Sequence, residues 1–204
     1  MRRLTVPAIF KIREKASIFL TELHPAGDAD ARDAVLARLR KRDFDATHHC
    51  SAWREGIPVV AYGADDDGEP SGTAGAPMLR VLEGNNLTDI IAVCIRWFGG
   101  TKLGTGGLVR AYTESLQGAI AGAEEAGLFE EVRVLRIGEI RVSPELAHLP
   151  FAVLGAFPEI EITDQAFADN ESLVRFTMPP GREAELEAAW QERSRGGSIC
   201  WIEL

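Results

Sequence analysis

The sequence predicts an α+β protein built from two domains, at residues 1–127 and 128–204. Three observations lead to this prediction. Apolar segments of strand length alternate with stretches of helical periodicity along the chain. A new order of elements begins after Gly127. The charge also shifts, because the first part carries 15 basic and 17 acidic residues and the second part 7 and 14.

The first domain is predicted to open with two strands, followed by a helix capped by Asp28 or Asp30. Two short strands, a polar loop, a short helix and a buried strand come next. A glycine-rich loop then leads into a long helix, and Gly127 prevents this helix from continuing. The predicted strands are 5–12, 16–23, 48–53, 58–62 and 89–97, and the predicted helices are 31–41, 74–82 and 107–123.

The second domain is predicted to have the order β-α-β-β-α-β, which is the ferredoxin-like arrangement. A turn at Pro179-Pro180-Gly181 precedes its second helix. The predicted strands are 131–142, 159–166, 172–178 and 198–202, and the predicted helices are 144–154 and 183–193.

Composition limits the class of protein. Hydrophobic residues make up 46% of the chain and charged residues 26%, which is typical of a globular protein. Since no stretch approaches the roughly 20 apolar residues of a membrane span and the first residues lack a signal-peptide pattern, we expect a cytoplasmic protein with no membrane partner. The net charge of −9 excludes a uniform nucleic-acid coat, but a local basic groove in the first domain remains compatible with it.

The three cysteines predict no metal centre. Cys50, Cys94 and Cys200 are too far apart for a cysteine-based zinc site. Cys94 and Cys200 lie in apolar runs, so both are predicted to be small core residues. No cofactor is expected.

Four segments of the first domain carry the motif signal: Asp45-Ala46-Thr47-His48-His49-Cys50, Asp65-Asp66-Asp67-Gly68-Glu69-Pro70-Ser71-Gly72-Thr73-Ala74-Gly75, Arg96-Trp97-Phe98-Gly99-Gly100-Thr101-Lys102-Leu103-Gly104 and Thr105-Gly106-Gly107-Leu108-Val109-Arg110-Ala111-Tyr112. In order and spacing these segments resemble the IMPACT family, and its YigZ-like bacterial members in particular, over residues 10 to 125. Two residues depart from the family pattern: His49 stands where Asn is usual, and Trp97 where Tyr is usual.

The resemblance has implications for fold and function. It implies a first domain similar to domain 2 of ribosomal protein S5 and a smaller second domain similar to a domain of elongation factor G. Eukaryotic members of the family regulate a translation-control kinase pathway by binding a ribosome-associated activator. The resemblance therefore implies a translation-associated regulatory or binding protein.

The glycine-rich loop, residues 99–107, is a candidate phosphate or nucleic-acid site. It follows a strand and precedes a helix, where free N–H groups and a partial positive charge suit a phosphate. The alternative is a tight loop that needs glycines only for its path. The candidate binding residues are Arg54, Arg96, Gly99, Gly100, Lys102, Gly104, Gly106, Gly107 and Arg110. The aromatic residues nearby, Trp53, Trp97 and Tyr112, are either stacking groups or core anchors.

The second candidate site is the acidic loop, residues 65–75, together with His48. Its family-motif residues are His48, Asp66, Asp67, Gly68, Glu69, Pro70, Ser71, Gly72 and Thr73. Its carboxylates could hold a divalent cation, although their spacing fits a solvated loop with Ser71 or Thr73 capping the next helix better. His48 and Cys50 would share one face of a strand and His49 the other. We expect a buried Cys50 and assign neither a catalytic residue nor a metal ligand.

Three hypotheses about function remain. The first is a translation-associated regulatory or binding protein that contacts RNA, the ribosome or a ribosome-associated protein through the glycine-rich, basic groove. The second is a metal- or phosphate-dependent hydrolase that uses the acidic and glycine-rich loops. The third is a pure protein-interaction module. The residues favour binding over catalysis, and they leave the oligomeric state open.

Overall fold

The computed structural model describes residues 1–168 and 170–202 of the chain. It contains two compact units, Met1–Val132 and Arg133–Leu204. No described helix is long and apolar enough to cross a membrane.

A five-stranded antiparallel sheet with helices on both faces forms most of the first unit. In chain order the elements are β1 (Arg2–Leu4), β2 (Ala8–Glu14), β3 (Ser17–Pro25), α1 (Ala29–Arg42), β4 (His48–Glu55), β5 (Ala61–Asp65), α2 (Gly75–Gly84), β6 (Leu87–Thr88), β7 (Ile90–Trp97), α3 (Thr105–Glu125) and β8 (Phe129–Glu131). The strand order is β2-β3-β7-β4-β5.

The central strand β7 is buried on both faces, which explains its apolar sequence. One face packs with α2 and α3 through residues such as Cys94. The other face packs with α1 through residues such as Val93 and Leu39. Asp28 caps α1 by accepting a hydrogen bond from the Ala31 N–H at 2.8 Å, which is one of the two caps expected from the sequence.

A small three-stranded sheet was not expected from the sequence. Its order is β6-β1-β8, with β1 parallel to β6 and antiparallel to β8. Strand β8 pairs with β1, and the first unit extends to Val132.

The second unit has a four-stranded antiparallel sheet with strand order β10-β11-β9-β12. Its elements are β9 (Arg136–Val142), a 3-10 turn (Pro144–Leu146), α4 (Leu149–Leu154), β10 (Glu161–Ala168), β11 (Glu171–Met178), α5 (Glu183–Ser194) and β12 (Cys200–Ile202). The sequence of strands and helices is thus β-α-β-β-α-β. Its core contains Ile140, Phe176, Leu186 and Trp190.

The prediction of a buried Cys200 was wrong, because this thiol is exposed. Strand β12 lies at the edge of the sheet, where Cys200 pairs with Glu139. Trp201 packs against the core, so alternation along the strand turns Cys200 to the other, polar face. Cys94 is buried as expected.

Candidate functional site

A buried ion pair joins β7 to the acidic loop. The Arg96 side chain lies on the α2/α3 face of the sheet, between Phe19 of β3 and His48 of β4. Its guanidinium donates to a carboxylate oxygen of Glu69 and lies 3.3 Å from the Ser17 hydroxyl. Both members of the pair are more than nine-tenths buried. A cation that looks solvent-exposed in the sequence is therefore part of the interior.

Residues from β4 and α3 extend this ion pair into a polar cluster. The Tyr112 hydroxyl donates to the same Glu69 oxygen at 2.7 Å. The Cys50 thiol lies 3.3 Å from the Tyr112 hydroxyl and 3.0 Å from the Asp66 carbonyl oxygen. His48 Nδ1 lies 2.8 Å from the Asp67 carbonyl oxygen, and His48 Nε2 lies 3.8 Å from Glu69. The cluster thus fixes the acidic loop against the sheet.

The Cys50 thiol of this cluster is expected to be unreactive. Burial raises the pKa of Cys50, and the hydrogen bond with Tyr112 only partly opposes this. A neutral thiol is a poor nucleophile and a poor metal ligand. His48 and Cys50 share a face, as predicted. His49 faces α1, where burial lowers its pKa.

Asp66 is the residue that caps α2. One of its carboxylate oxygens accepts from the Ala74 N–H at 3.0 Å and the Gly75 N–H at 2.8 Å, and the other accepts from the Gly72 N–H at 2.7 Å. Partial burial alone would raise the pKa of Asp66, but these N–H donors outweigh it and lower the pKa. The expected caps, Ser71 and Thr73, were wrong. Thr73 instead donates to the Pro70 carbonyl oxygen, because the loop folds back and brings Asp66 to the helix start.

The other two aspartates of the loop are also engaged within the chain. Asp67 accepts from Arg40 at 2.7 Å and from the His49 N–H at 2.6 Å. Asp65 accepts from the Asp67 N–H at 2.9 Å. Among the described residues, no group of three or more His, Cys, Asp or Glu side chains is arranged to hold a metal ion.

The glycine-rich loop needs glycine at specific positions. A Cβ on Gly99 would lie 2.0 Å from the backbone of Ala16. Gly100 and Gly104 have positive φ values of 85° and 73°. Gly106 and Gly107 belong to the first turn of α3 and have no positive φ. The loop path therefore explains only part of the glycine pattern.

The two loops meet around a cavity of about 320 Å³, which we call the loop cavity. The N-terminus of α3 lies at this cavity, and Gly104 at its start provides no side-chain cap. Phe98, which is 45% exposed, lies at the loop cavity and stacks with the Arg96 guanidinium at 5.5 Å. The lining residues are Glu69, Pro70, Arg96, Phe98, Lys102, Leu103, Gly104, Thr105 and Leu108.

Two of the candidate cations lie elsewhere. Arg54 donates to the Leu87 carbonyl oxygen, about 20 Å from His48 along β4 at roughly 3.3 Å per residue. Arg110 lines a separate cavity with Glu14 and Glu114. The predicted basic residues therefore do not form one continuous track.

The predicted aromatic set is not a stacking surface. Tyr112 is fully buried, and Trp97 packs in the core on the α1 side. Trp53 stacks with Arg32, whose guanidinium lies 4.7 Å from the ring. Sequence reasoning did not single out Phe98, although strand alternation would have placed it on the same side as Arg96.

The second unit displays no basic sheet face in its described part. Arg141 and Arg175 both bind Glu139, and Arg175 also lies 3.8 Å from Asp164. These pairs neutralise the arginines that the sheet presents.

Similarity to known proteins identifies the family of this chain. Residues 15–120 match the Impact N-terminal domain. "IMPACT family member YigZ" of Escherichia coli is 44% identical over 188 residues, 89% of this chain and 87% of the relative. An "IMPACT family member" of Haemophilus influenzae is 38% identical over 177 residues, 81% of this chain and 79% of the relative. The chain therefore belongs to the IMPACT family.

One solved structure has a similar fold. It is described as a crystal structure of a hypothetical protein, is 31% identical and superimposes with a TM-score of 0.61, covering 100% of this chain and 96% of the other.

Proposed function

We propose that this protein is a translation-associated regulatory protein that acts by binding. Its partner is RNA, the ribosome or a ribosome-associated protein, and the contact is made at the loop cavity. One observation carries the proposal: motif segments separated by some thirty residues in the sequence, which hold Glu69, Arg96 and Lys102, meet around this cavity. The link to translation comes from family membership.

Binding is favoured over hydrolysis because the reactive groups near the loop cavity are already engaged. Glu69 is held by Arg96 and Tyr112. Burial keeps the Cys50 thiol neutral. Asp66 and Asp67 bind groups of the chain itself. Such contacts favour a shaped surface over a site poised for proton or metal chemistry.

Finer fold relationships are part of the same proposal. The strand order β10-β11-β9-β12, with all neighbours antiparallel, supports a ferredoxin-like second domain related to one in elongation factor G. We also propose that the first domain is related to domain 2 of ribosomal protein S5.

A co-sedimentation experiment with ribosomes tests the function. Lys102→Ala in the full chain should weaken binding and should flatten the slope of log affinity against log salt by roughly 0.7 to 0.9 per lost phosphate contact. The matched control is Lys41→Ala, which removes the same charge from the exposed end of α1 on the other face of the sheet. Arg110→Ala is measured separately, since Arg110 lines a different cavity.

The proposed contact fails if Lys102→Ala binds ribosomes with the affinity and salt slope of the parent. A loss of binding without a change in salt slope would favour a protein partner on the ribosome. Repeating the assay with isolated ribosomal RNA separates these outcomes.

A further inference from the structure

The described part of the chain offers three cationic features that converge on the loop cavity. The first is the start of α3, a 21-residue helix whose first-turn N–H groups receive no side-chain cap. These groups carry the partial positive charge of a helix N-terminus. Thr105 and Gly104 place this helix end directly in the cavity lining.

The second feature is a buried cation. Arg96 lines the loop cavity although the residue is only 4% exposed. Its Nε is buried and has no hydrogen-bond partner among the described residues. A buried polar atom without a partner is costly. A ligand oxygen in the cavity that reached Nε would remove this cost.

The third feature is Lys102, which is exposed. Among the ion pairs of the described residues, none involves Lys102. With Glu69 opposing Arg96, the charged side chains of the lining sum to one excess positive charge. One excess positive charge, together with the partial charge at the helix N-terminus, suits one phosphate group. This positive charge is too small to neutralise a run of several phosphates.

The rest of the cavity suits a ring. Phe98 exposes nearly half of its surface, and Pro70, Leu103 and Leu108 add apolar walls. A volume of about 320 Å³ is near the lower end of small-molecule sites. Aromatic side chains stack nucleobases without regard to their identity.

The geometry points to a binding site for a single phosphorylated nucleotide, with its phosphate at the N-terminus of α3 and its ring system against Phe98. The inference rests on the proposed function, because it names the chemical group that the loop cavity recognises. A free nucleoside 5′-monophosphate and the 5′-phosphorylated end of an RNA present the same group.

Calorimetric titration of the full chain tests this site with adenosine 5′-monophosphate, adenosine and inorganic phosphate. The monophosphate should bind at least tenfold more tightly than adenosine or inorganic phosphate. Lys102→Ala and Phe98→Ala should each weaken its binding by about tenfold, the scale of one lost charge-assisted or stacking contact. Lys41→Ala should leave binding unchanged.

Titration with short single-stranded RNA, carrying either a 5′-phosphate or a 5′-hydroxyl, distinguishes a free nucleotide from an RNA end as the ligand. Tighter binding of the phosphorylated strand than of the mononucleotide would identify an RNA end, whereas binding of the mononucleotide alone would identify a free nucleotide. The inference is overturned if the monophosphate does not bind, if adenosine or inorganic phosphate binds as well, or if both variants bind like the parent. If ribosome binding still depends on Lys102 in that event, the proposed function survives and only the nucleotide assignment fails.

Discussion

At the scale of single residues, Asp66 shows how the acidic loop is stabilised. Its carboxylate accepts from three backbone N–H groups and thereby ties the loop to the start of α2. The charged form is favoured by these donors, so the loop depends on ionisation of this one side chain.

We predict that Asp66→Asn lowers the free energy of unfolding by about 1 kcal/mol at neutral pH, the usual cost of a lost cap, with partial exposure keeping it modest. Because the folded pKa of Asp66 lies below the ordinary 3.8, its contribution is fully present above that value and is lost as the pH falls through the folded pKa. Urea titrations from neutral pH to about pH 2 should show the two proteins converging. The exposed Asp45→Asn is the control, and a constant difference across this range would contradict the role of ionisation.

The ion pair between Glu69 and Arg96 should be much less tolerant of substitution. We predict that Glu69→Ala destabilises the protein by about 3–5 kcal/mol, since Arg96 would be left buried without its carboxylate. Tyr112→Phe removes the hydrogen bond to Glu69 and the weak contact with the Cys50 thiol, and should cost about 1 kcal/mol. Denaturant titration measures both, with the exposed Glu83→Ala as a neutral control. Equal costs for Glu69→Ala and Tyr112→Phe would show that the ion pair is not the dominant interaction.

At the scale of elements, the glycine-rich loop contains glycines that its path requires and glycines that it does not. We predict that Gly99→Ala destabilises the protein by about 1–3 kcal/mol, because the new Cβ meets the Ala16 backbone. Gly106→Ala meets nothing within 4 Å and should be neutral or stabilising by about 0.4–1 kcal/mol. Thermal and denaturant unfolding of the two variants provide the comparison. The reverse order of stability would exclude this loop path.

Much of the element order could be predicted because long strands and helices carry strong periodicity. The buried strand β7 and the helix α3 both follow directly from their apolar patterns. The strands β1, β6 and β8 have only two or three residues each, too few to show alternation, and they pair with segments distant in sequence.

The candidate site was predictable in composition but not in geometry. The motif segments identify both loops as candidate sites. In the sequence alone, Arg96 has the character of a surface cation, and only the folded structure shows its ion pair with Glu69. The cap from Asp66 was missed for a similar reason, since it acts on N–H groups up to nine positions away. Contacts between residues that are distant in the sequence become visible only once the loop is folded.

At the scale of the whole molecule, each unit has its own hydrophobic core. We predict that a chain of residues 1–132 folds cooperatively on its own and that a chain of residues 1–127 is less stable. The shorter chain lacks β8, which pairs with β1 from Phe129 to Glu131. Circular dichroism during thermal unfolding should show a lower Tm for the shorter chain. Equal Tm values would show that β8 contributes nothing to stability and would favour a domain boundary after Gly127.

The small sheet also has a consequence for how the protein is made. Strand β1 is synthesised long before its partners, since Arg2 pairs with Leu87 and with Glu131, 85 and 129 positions later. At about 5–20 residues per second, β1 waits roughly 6–26 s for its last partner. An unpaired strand invites pairing with other chains, and charged residues oppose this. Arg2 and Arg3 occupy two of the three positions of β1, so the strand carries its own protection against aggregation while translation proceeds.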